Sequence, residues 1–377
     1  MLKATKKVYM SILAILLVFI TVVATTFAWV GILTYAQTDT FKMNLKVQDL
    51  ENDYFLSISA TDEEGYDDEG HFYTTYSDLA NVTDLKKQII KNMGISIADL
   101  TNDNLVDRKF NQVYQIVPAT TTRNTILNDE FHCLDPYWGG KRISTSNSKA
   151  YYKFDIYISM EHREGDSAIN ENTNQKMNLF LADIAQTLTG DISTQVVQNE
   201  FTYDPSNLYN PNGLNSVDGV VNIDAASAAR LALAVYDPIL RTDKYSGTEA
   251  PNRLYIYQGG TQYPTYYSES DTYSFGGILP EEYNLAYYEH VTNKTIKPSE
   301  FPIPDEAINR GDLELIENNK DLFDDEYGFG ISNGKKTKVK ITVYFWFEGW
   351  DSDCFEIIDA VNVRININFG TDSNVAQ

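Results

Sequence analysis

Cysteine is nearly absent from this chain: Cys133 and Cys354 are the only two, and no C-x-x-C pair exists to hold zinc. A single disulfide between them and two small buried thiols are equally open readings. Histidine is as sparse. His71, His132, His162 and His290 stand apart with no i, i+4 pair, which leaves no metal-ligand spacing and no ground for histidine catalysis. No G-x-S-x-G elbow, P-loop or H-E-x-x-H occurs. "GFGISNG" sets Gly328, Gly330 and Gly334 off the dinucleotide spacing and reads as a loop. Basic charge is short too: 30 Lys and Arg face 53 Asp and Glu, for a net charge of -23. A phosphate backbone is bound by clustered cations, so nucleic acid is not an expected partner.

Hydrophobic residues make up 43% of the chain and aromatic residues 13%, too many for a disordered polymer of this charge, so a folded and acidic protein is expected. The 377 residues suffice for one elaborated domain or two ordinary ones. Lys3, Lys6 and Lys7 precede an uncharged stretch from Val8 to Thr38, longer than a signal-peptide core and long enough to cross a bilayer. A cytoplasmic stub at 1–7 and a transmembrane anchor at 8–36 follow. Val8 and Leu16 lie within the anchor, and Trp29 and Tyr35 fall where interfacial aromatics sit. The lysines place residues 39–377 outside. Cleavage after Ala36 is the competing reading.

Past the anchor, alternation of period two dominates. "FKMNLKV", "YFLSIS", "KFDIYISM", "ARLALAV" and "RLYIYQ" each put apolar residues on one side, the pattern of half-buried antiparallel strands. The clearest pair is C-terminal: "VKITVYFWF" aligns Val339, Ile341, Val343, Phe345 and Phe347, and "VNVRININF" aligns Val361, Val363, Ile365, Ile367 and Phe369. Each should have one core face and one wet face. Helices are few. "TDLKKQIIKNMG" has Thr83 or Asp84 as a cap and Gly94 as a stop, and "LPEEYNLAYYEHV" opens like a first helical turn. "KMNLFLADIAQTL" fits either element. The expected fold is mainly β: an antiparallel sandwich, jelly-roll-like, with long loop insertions and a few short helices behind an N-terminal transmembrane helix, or two such sandwiches.

Acidic loops are the places to look for a cation. "TDEEGYDDEGH" offers Asp62, Glu64 and Asp67, and "DLFDDEYGFG" offers Asp324, Asp325 and Glu326. Calcium takes oxygen ligands of this kind, although neither loop has the EF-hand order, and a solvated turn is the plainer reading. Asn81 and Asn293 begin glycosylation-type triplets. "FWFEGWDSDCF" at 345–355 concentrates acids, tryptophans and Cys354 between the two best strands. That placement makes it a hairpin or crossover connection, with Phe345 and Phe347 in the core and the acids at its tip.

"TTFAW" near the outer end of the anchor, followed by "FKMNLKV" and "LSISATDE", resembles the start of exported Gram-positive surface proteins of the TasA and camelysin type, with their SipW-type N-terminal segment. "VYFWFEGWDSDC" followed by "VNVRININF" is similar to the terminal strands of related surface proteins. The resemblance touches the two ends only. It implies an exported β-sandwich that builds fibres or a surface layer or, for camelysin, a surface protease. The leading expectation is a non-enzymatic, membrane-anchored structural protein that assembles with itself or with neighbouring shell components through exposed tyrosines. A surface hydrolase using acidic residues such as Asp351 and Asp353, with or without a metal, a membrane-attached minor structural protein of a large virus, and a calcium-dependent adhesin are the alternatives.

Overall fold

The computed structural model describes residues 41–47, 53–94, 116, 119–133, 150–176, 178–181, 195–198, 202–203, 221–222, 229–258, 321–323, 329–349 and 363–370. In chain order come β1 (Phe41–Val47), β2 (Tyr54–Ser59), β3 (Glu64–Tyr66), β4 (Phe72–Thr74), helix α1 (Val82–Asn92), β5 (Ala119–Thr120), β6 (His132–Cys133) and β7 (Tyr152–His162). Next are β8 (Gln175–Lys176), β9 (Leu179–Leu181), β10 (Gln195–Gln198), β11 (Thr202–Tyr203), β12 (Val221–Asn222), β13 (Ala229–Val235), β14 (Ile239–Leu240) and β15 (Arg253–Gln258). The last four are β16 (Asp321–Phe323), β17 (Gly330–Ser332), β18 (Lys335–Phe347) and β19 (Val363–Gly370). The protein is thus mainly β with little helix, as its alternating segments require.

Strand β18 organises the larger sheet. It pairs with β13 and β14 along one edge and with β7 and β17 along the other, and β2, β15 and β8 extend the sheet outward, every pairing antiparallel. Register follows from matched alternation: Ile341 lies opposite Ile156 and Val235, and Val343 opposite Phe154 and Leu233. The apolar face so formed is fully buried from Ile58 and Ile158 across to Tyr257. The hairpin from β17 into β18 turns on Asn333 and Gly334, both at positive φ (48° and 73°), the backbone of a type I′ turn. Gly330 to Gly334 of "GFGISNG" are therefore a strand and its turn, where the glycine spacing alone read as a loop.

Of the two connections open between the C-terminal strands, hairpin or crossover, the structure takes the second: β18 and β19 do not pair, because β19 is the centre of a second sheet with β1, β9, β10 and, through β9, β16. The connection after "FWF" is thus a crossover between sheets. Within that second sheet β1 runs parallel to β19, Phe41 opposite Val363 through Val47 opposite Phe369. An all-antiparallel reading missed this because alternation fixes which residues share a face and leaves strand direction open. The expectation of one wet face is corrected in the second half of β18, where Tyr344 and Trp346, on the side opposite Phe345, are 2% and 0% exposed. In the first half Lys338 is buried and Lys336 and Lys340 are half-buried.

Helix α1 closes an exposed strand edge. Its N-cap is Asn81, whose side chain accepts the Thr83 N–H. Thr83 and Asp84 were the expected caps, but both already lie inside the helix, whereas the extended backbone a cap needs is found at Asn81. Gly94, at φ 73°, ends it. Leu85, Ile89 and Ile90 are buried. Beyond the end of β2, the Gln88 side chain accepts the Asp155 N–H at 2.8 Å and donates to the Asp155 carbonyl at 3.0 Å, and Asn92 donates to the Lys153 carbonyl at 2.7 Å. Side-chain amides thereby replace a strand on the open edge of β7.

Candidate functional site

The first half of β18, "KKTKVK", places Lys336, Lys338 and Lys340 on the face opposite Val339 and Ile341. β7 and the turn after it bring Asp155, Glu161 and Asp166 to these lysines, the segment that leads from β2 into β3 brings Asp62, and the segment that follows β14 brings Arg241. Beside them lies a cleft of about 800 Å³, lined by Phe55, Phe72 and Tyr76 together with Glu161, Arg241 and Lys336.

Arg241 is the hub, and only 8% of it is exposed. Its Nε donates to Glu64 Oε2 at 2.8 Å, its Nη2 lies 2.7 Å from the same oxygen, and its Nη1 donates to Glu161 Oε1. The guanidinium also lies 4.2 Å from the Tyr76 ring centroid, a cation–π contact. Burial works against the Arg241 charge, and Glu161 followed by Glu64 outweighs it, so its pKa is raised. Glu161 is shared: its Oε2 accepts from Lys336 Nζ at 2.5 Å and its Oε1 from Ser57 Oγ at 3.1 Å. Lys336 also pairs with Asp166.

Deeper lies a second cluster. Lys338, 0% exposed, donates to Asp62 Oδ1 at 2.9 Å, to Asp62 Oδ2 at 2.7 Å and to the Arg241 carbonyl at 2.9 Å. Tyr76 Oη donates to Asp62 Oδ1 at 2.6 Å. Burial first, and this hydrogen bond second, raise the Tyr76 pKa far above the usual phenol range. The cleft therefore opens over charges that are already matched: Glu64, Glu161 and Asp166 each face a cation. What it presents to a visitor is aromatic surface over a fixed ionic floor.

Beside the cleft, β3 and β4 form a hairpin with three exposed aromatic residues, Tyr66 at 74%, Phe72 at 55% and Tyr73 at 48%. Its tip is acidic. Asp67 Oδ1 accepts the amides of Glu69 and His71 at 3.0 and 2.7 Å, and His71 Nδ1 lies 3.3 Å from Asp67 Oδ2.

Comparison with protein-family models, curated proteins and solved structures finds no match.

The three described calcium candidates do not converge. Asp62 is taken by Lys338, Glu64 by Arg241, and Asp67 closes its own turn. Among the described residues no group of His, Cys, Asp and Glu is placed to hold a metal ion. Asp324, Asp325 and Glu326 lie outside the described residues, as do Asp351, Asp353, Cys354 and the anchor residues Val8, Leu16, Trp29 and Tyr35. Cys133 is in β6, opposite Ala119. His162 accepts the Glu164 N–H at Nδ1. Among the described residues, no helix is long and apolar enough to cross a membrane.

The opening of "FWFEGWDSDCF" is structural. Phe345 and Phe347 lie in the apolar face, and Trp346, on the other, donates from Nε1 to Glu348 Oε2 at 3.2 Å. Glu348, expected among the acids of the tip, is 0% exposed. It is drawn inside because the strand continues one step further, forming a bridge to Ala119 that the Gly349 N–H to Ala119 carbonyl bond supports at 2.9 Å. Sequence reasoning missed Arg241, Glu161, Lys336 and Lys338. The available signal was the i, i+2 spacing of lysines on a strand whose other face is core, which reads as wet unless an acidic cover is known.

Proposed function

We propose that this chain is a non-enzymatic structural protein of a membrane-bounded surface. The segment 8–36 anchors it with the N-terminus inside, and the outer part contacts further copies or neighbouring shell components. The hairpin of β3 and β4 carries this reading, since it holds Tyr66 and Phe72, ring centroids 5.5 Å apart on one face, and Tyr73 on the other, out in water. Exposed aromatic residues of this kind mark a contact surface. The adjoining cleft supports it, because its carboxylates are bound to cations and its floor is built to stay in place.

The outer part is read as a jelly-roll-like sandwich in which the apolar face of the larger sheet lies on the β19 sheet. Two observations favour this. Arg253 Nη1 and Tyr255 Oη, from β15, each donate to the Leu322 carbonyl of β16 at 3.4 Å. Leu179, Leu322, Ile367 and Phe369 of the second sheet are at most 1% exposed, as inner-face residues of packed sheets should be.

The test is cross-linking in native membranes from a photoreactive side chain placed at Tyr73 of the full chain. Adducts with a second copy or another shell component are expected, and replacing Tyr66, Phe72 and Tyr73 together by Ser should remove them without unfolding the protein. Adducts with lipid alone, or none, would reject the contact surface. Sequencing the mature N-terminus settles the anchor, with Met1 retained if it holds and Gln37 first if it is cut.

A further inference from the structure

We propose that Lys338 and Asp62 form an intramolecular isopeptide bond, a covalent cross-link between β18 and the segment that follows β2. This inference is independent of the anchor and of the surface role.

The geometry is that of two reactants already assembled. Nζ of Lys338 touches both oxygens of one carboxyl group, at 2.9 and 2.7 Å, from residues 276 positions apart in the chain. Both side chains are buried, with exposures of 1% and 8%. Enclosure of this kind converts a slow bimolecular condensation into a unimolecular one. It also supplies a driving force, because forming an amide removes two charges from a site where their hydration has been lost. Asp62 is held in place for the step. Its backbone is left-handed at φ 55°, its N–H is bound to Ser59 Oγ at 3.0 Å, and Oδ1 accepts from Tyr76 Oη at 2.6 Å. Tyr76 keeps its proton, because burial raises its pKa. Lys244 is the other amine nearby, but it is 3.6 Å from Oδ2 and 71% exposed.

The step balances without a co-reactant. A proton passes from Nζ to Oδ2 along their hydrogen bond, and the freed lone pair attacks Cγ. Tyr76 Oη–H holds Oδ1 while it carries negative charge. A second proton moves from Nζ to Oδ2, which leaves as water, and the C=O re-forms as the new amide carbonyl.

Mass spectrometry of the purified full chain, digested with trypsin under denaturing conditions, tests this. Trypsin does not cleave after an acylated lysine. The expected product is a branched peptide joining the segment 337–340 to the segment bearing Asp62, lighter than the sum of the two by one water. It should hold most of the Lys338 signal and vanish in Asp62→Ala. Cleavage after Lys338 with two unbranched peptides at full mass would show an ion pair only and overturn the proposal. Water loss that persists in Asp62→Ala, or a branch at Lys244, would overturn it equally. Tyr76→Phe should slow the appearance of the branch in a pulse-chase, and an unchanged rate would remove Tyr76 from the step.

Discussion

One face of β18 is buried in two different ways. Its first half, Lys336 to Lys340, is covered by acids: Glu161 and Asp166 at Lys336, Asp62 at Lys338, and Asp155 at Lys340 at 3.0 Å. Its second half, Tyr344 and Trp346, is covered by rings, with Phe131 stacked on Tyr151 at 4.1 Å and edge-on to Trp346 at 5.6 Å. Small residues of β13, Ala232 and Ala234, make room beneath this aromatic cluster. The aromatic half gains from removing apolar area from water and tolerates imperfect geometry. The ionic half repays desolvation only if every partner is in place. The aromatic half should yield gradually to substitution, and the ionic half abruptly.

The largest effect is expected at high pH, and it falls on both halves together. Tyr76 in the ionic half and Tyr344 in the aromatic half both have pKa values raised above the ordinary 10.0, burial being the first cause in each. A raised phenol pKa means that the fold favours the protonated form. The stabilisation is complete below pH 10 and declines as pH rises further. The share of phenolate absorbance that is absent from Tyr76→Phe and Tyr344→Phe variants should appear in one cooperative step with the loss of circular dichroism, above pH 10. Phenolate formation ahead of unfolding would show that the rings are open to solvent.

Arg241→Ala comes next, with an expected loss of about 3–5 kcal/mol in urea denaturation, since it leaves Glu64 and Glu161 without their shared cation. Glu161→Gln should cost less, because an amide still accepts from Arg241. In the aromatic half, Trp346→Phe is expected to cost about 2 kcal/mol, from lost volume and from a buried Glu348 deprived of a donor. Equal losses for Arg241→Ala and Trp346→Phe would erase the distinction between the halves. Away from both, Asn81→Ala should cost about 1 kcal/mol through the cap of α1.

The smallest effect lies beyond the cleft. Glu249 accepts the Ser246 and Gly247 amides at 2.7 and 2.9 Å, and the Ser246 bonds first of all hold its pKa down to about 2 from 4.5. Its contribution is present above pH 4.5 and is lost as pH falls through about 2. Amide exchange at Ser246 should quicken over that window while the core amides stay protected.

Strand positions were legible in the sequence wherever one face is core, because alternation of period two is printed directly by the pleat: "KFDIYISM", "ARLALAV" and "VKITVYFWF" all fall in strands. The helix was legible through Leu85, Ile89 and Gly94, though its cap was misplaced by two or three positions. The cleft was not. Glu161 and Arg241 are 80 positions apart, and Lys338 and Asp62 are 276 apart, and no local pattern announces that such residues will meet.

The sequence by itself determined that this is a mainly β, acidic protein, which segments are strands, and which residues of each share a face, since those properties depend on near neighbours along the chain. Only the tertiary structure decided that β18 and β19 belong to different sheets, that β1 runs parallel to β19, and that Lys338 is buried under an acidic cover. Pairing direction and the cover over a face are set by distant segments competing for the same edge and the same charges, and that competition is resolved only when the whole chain is folded.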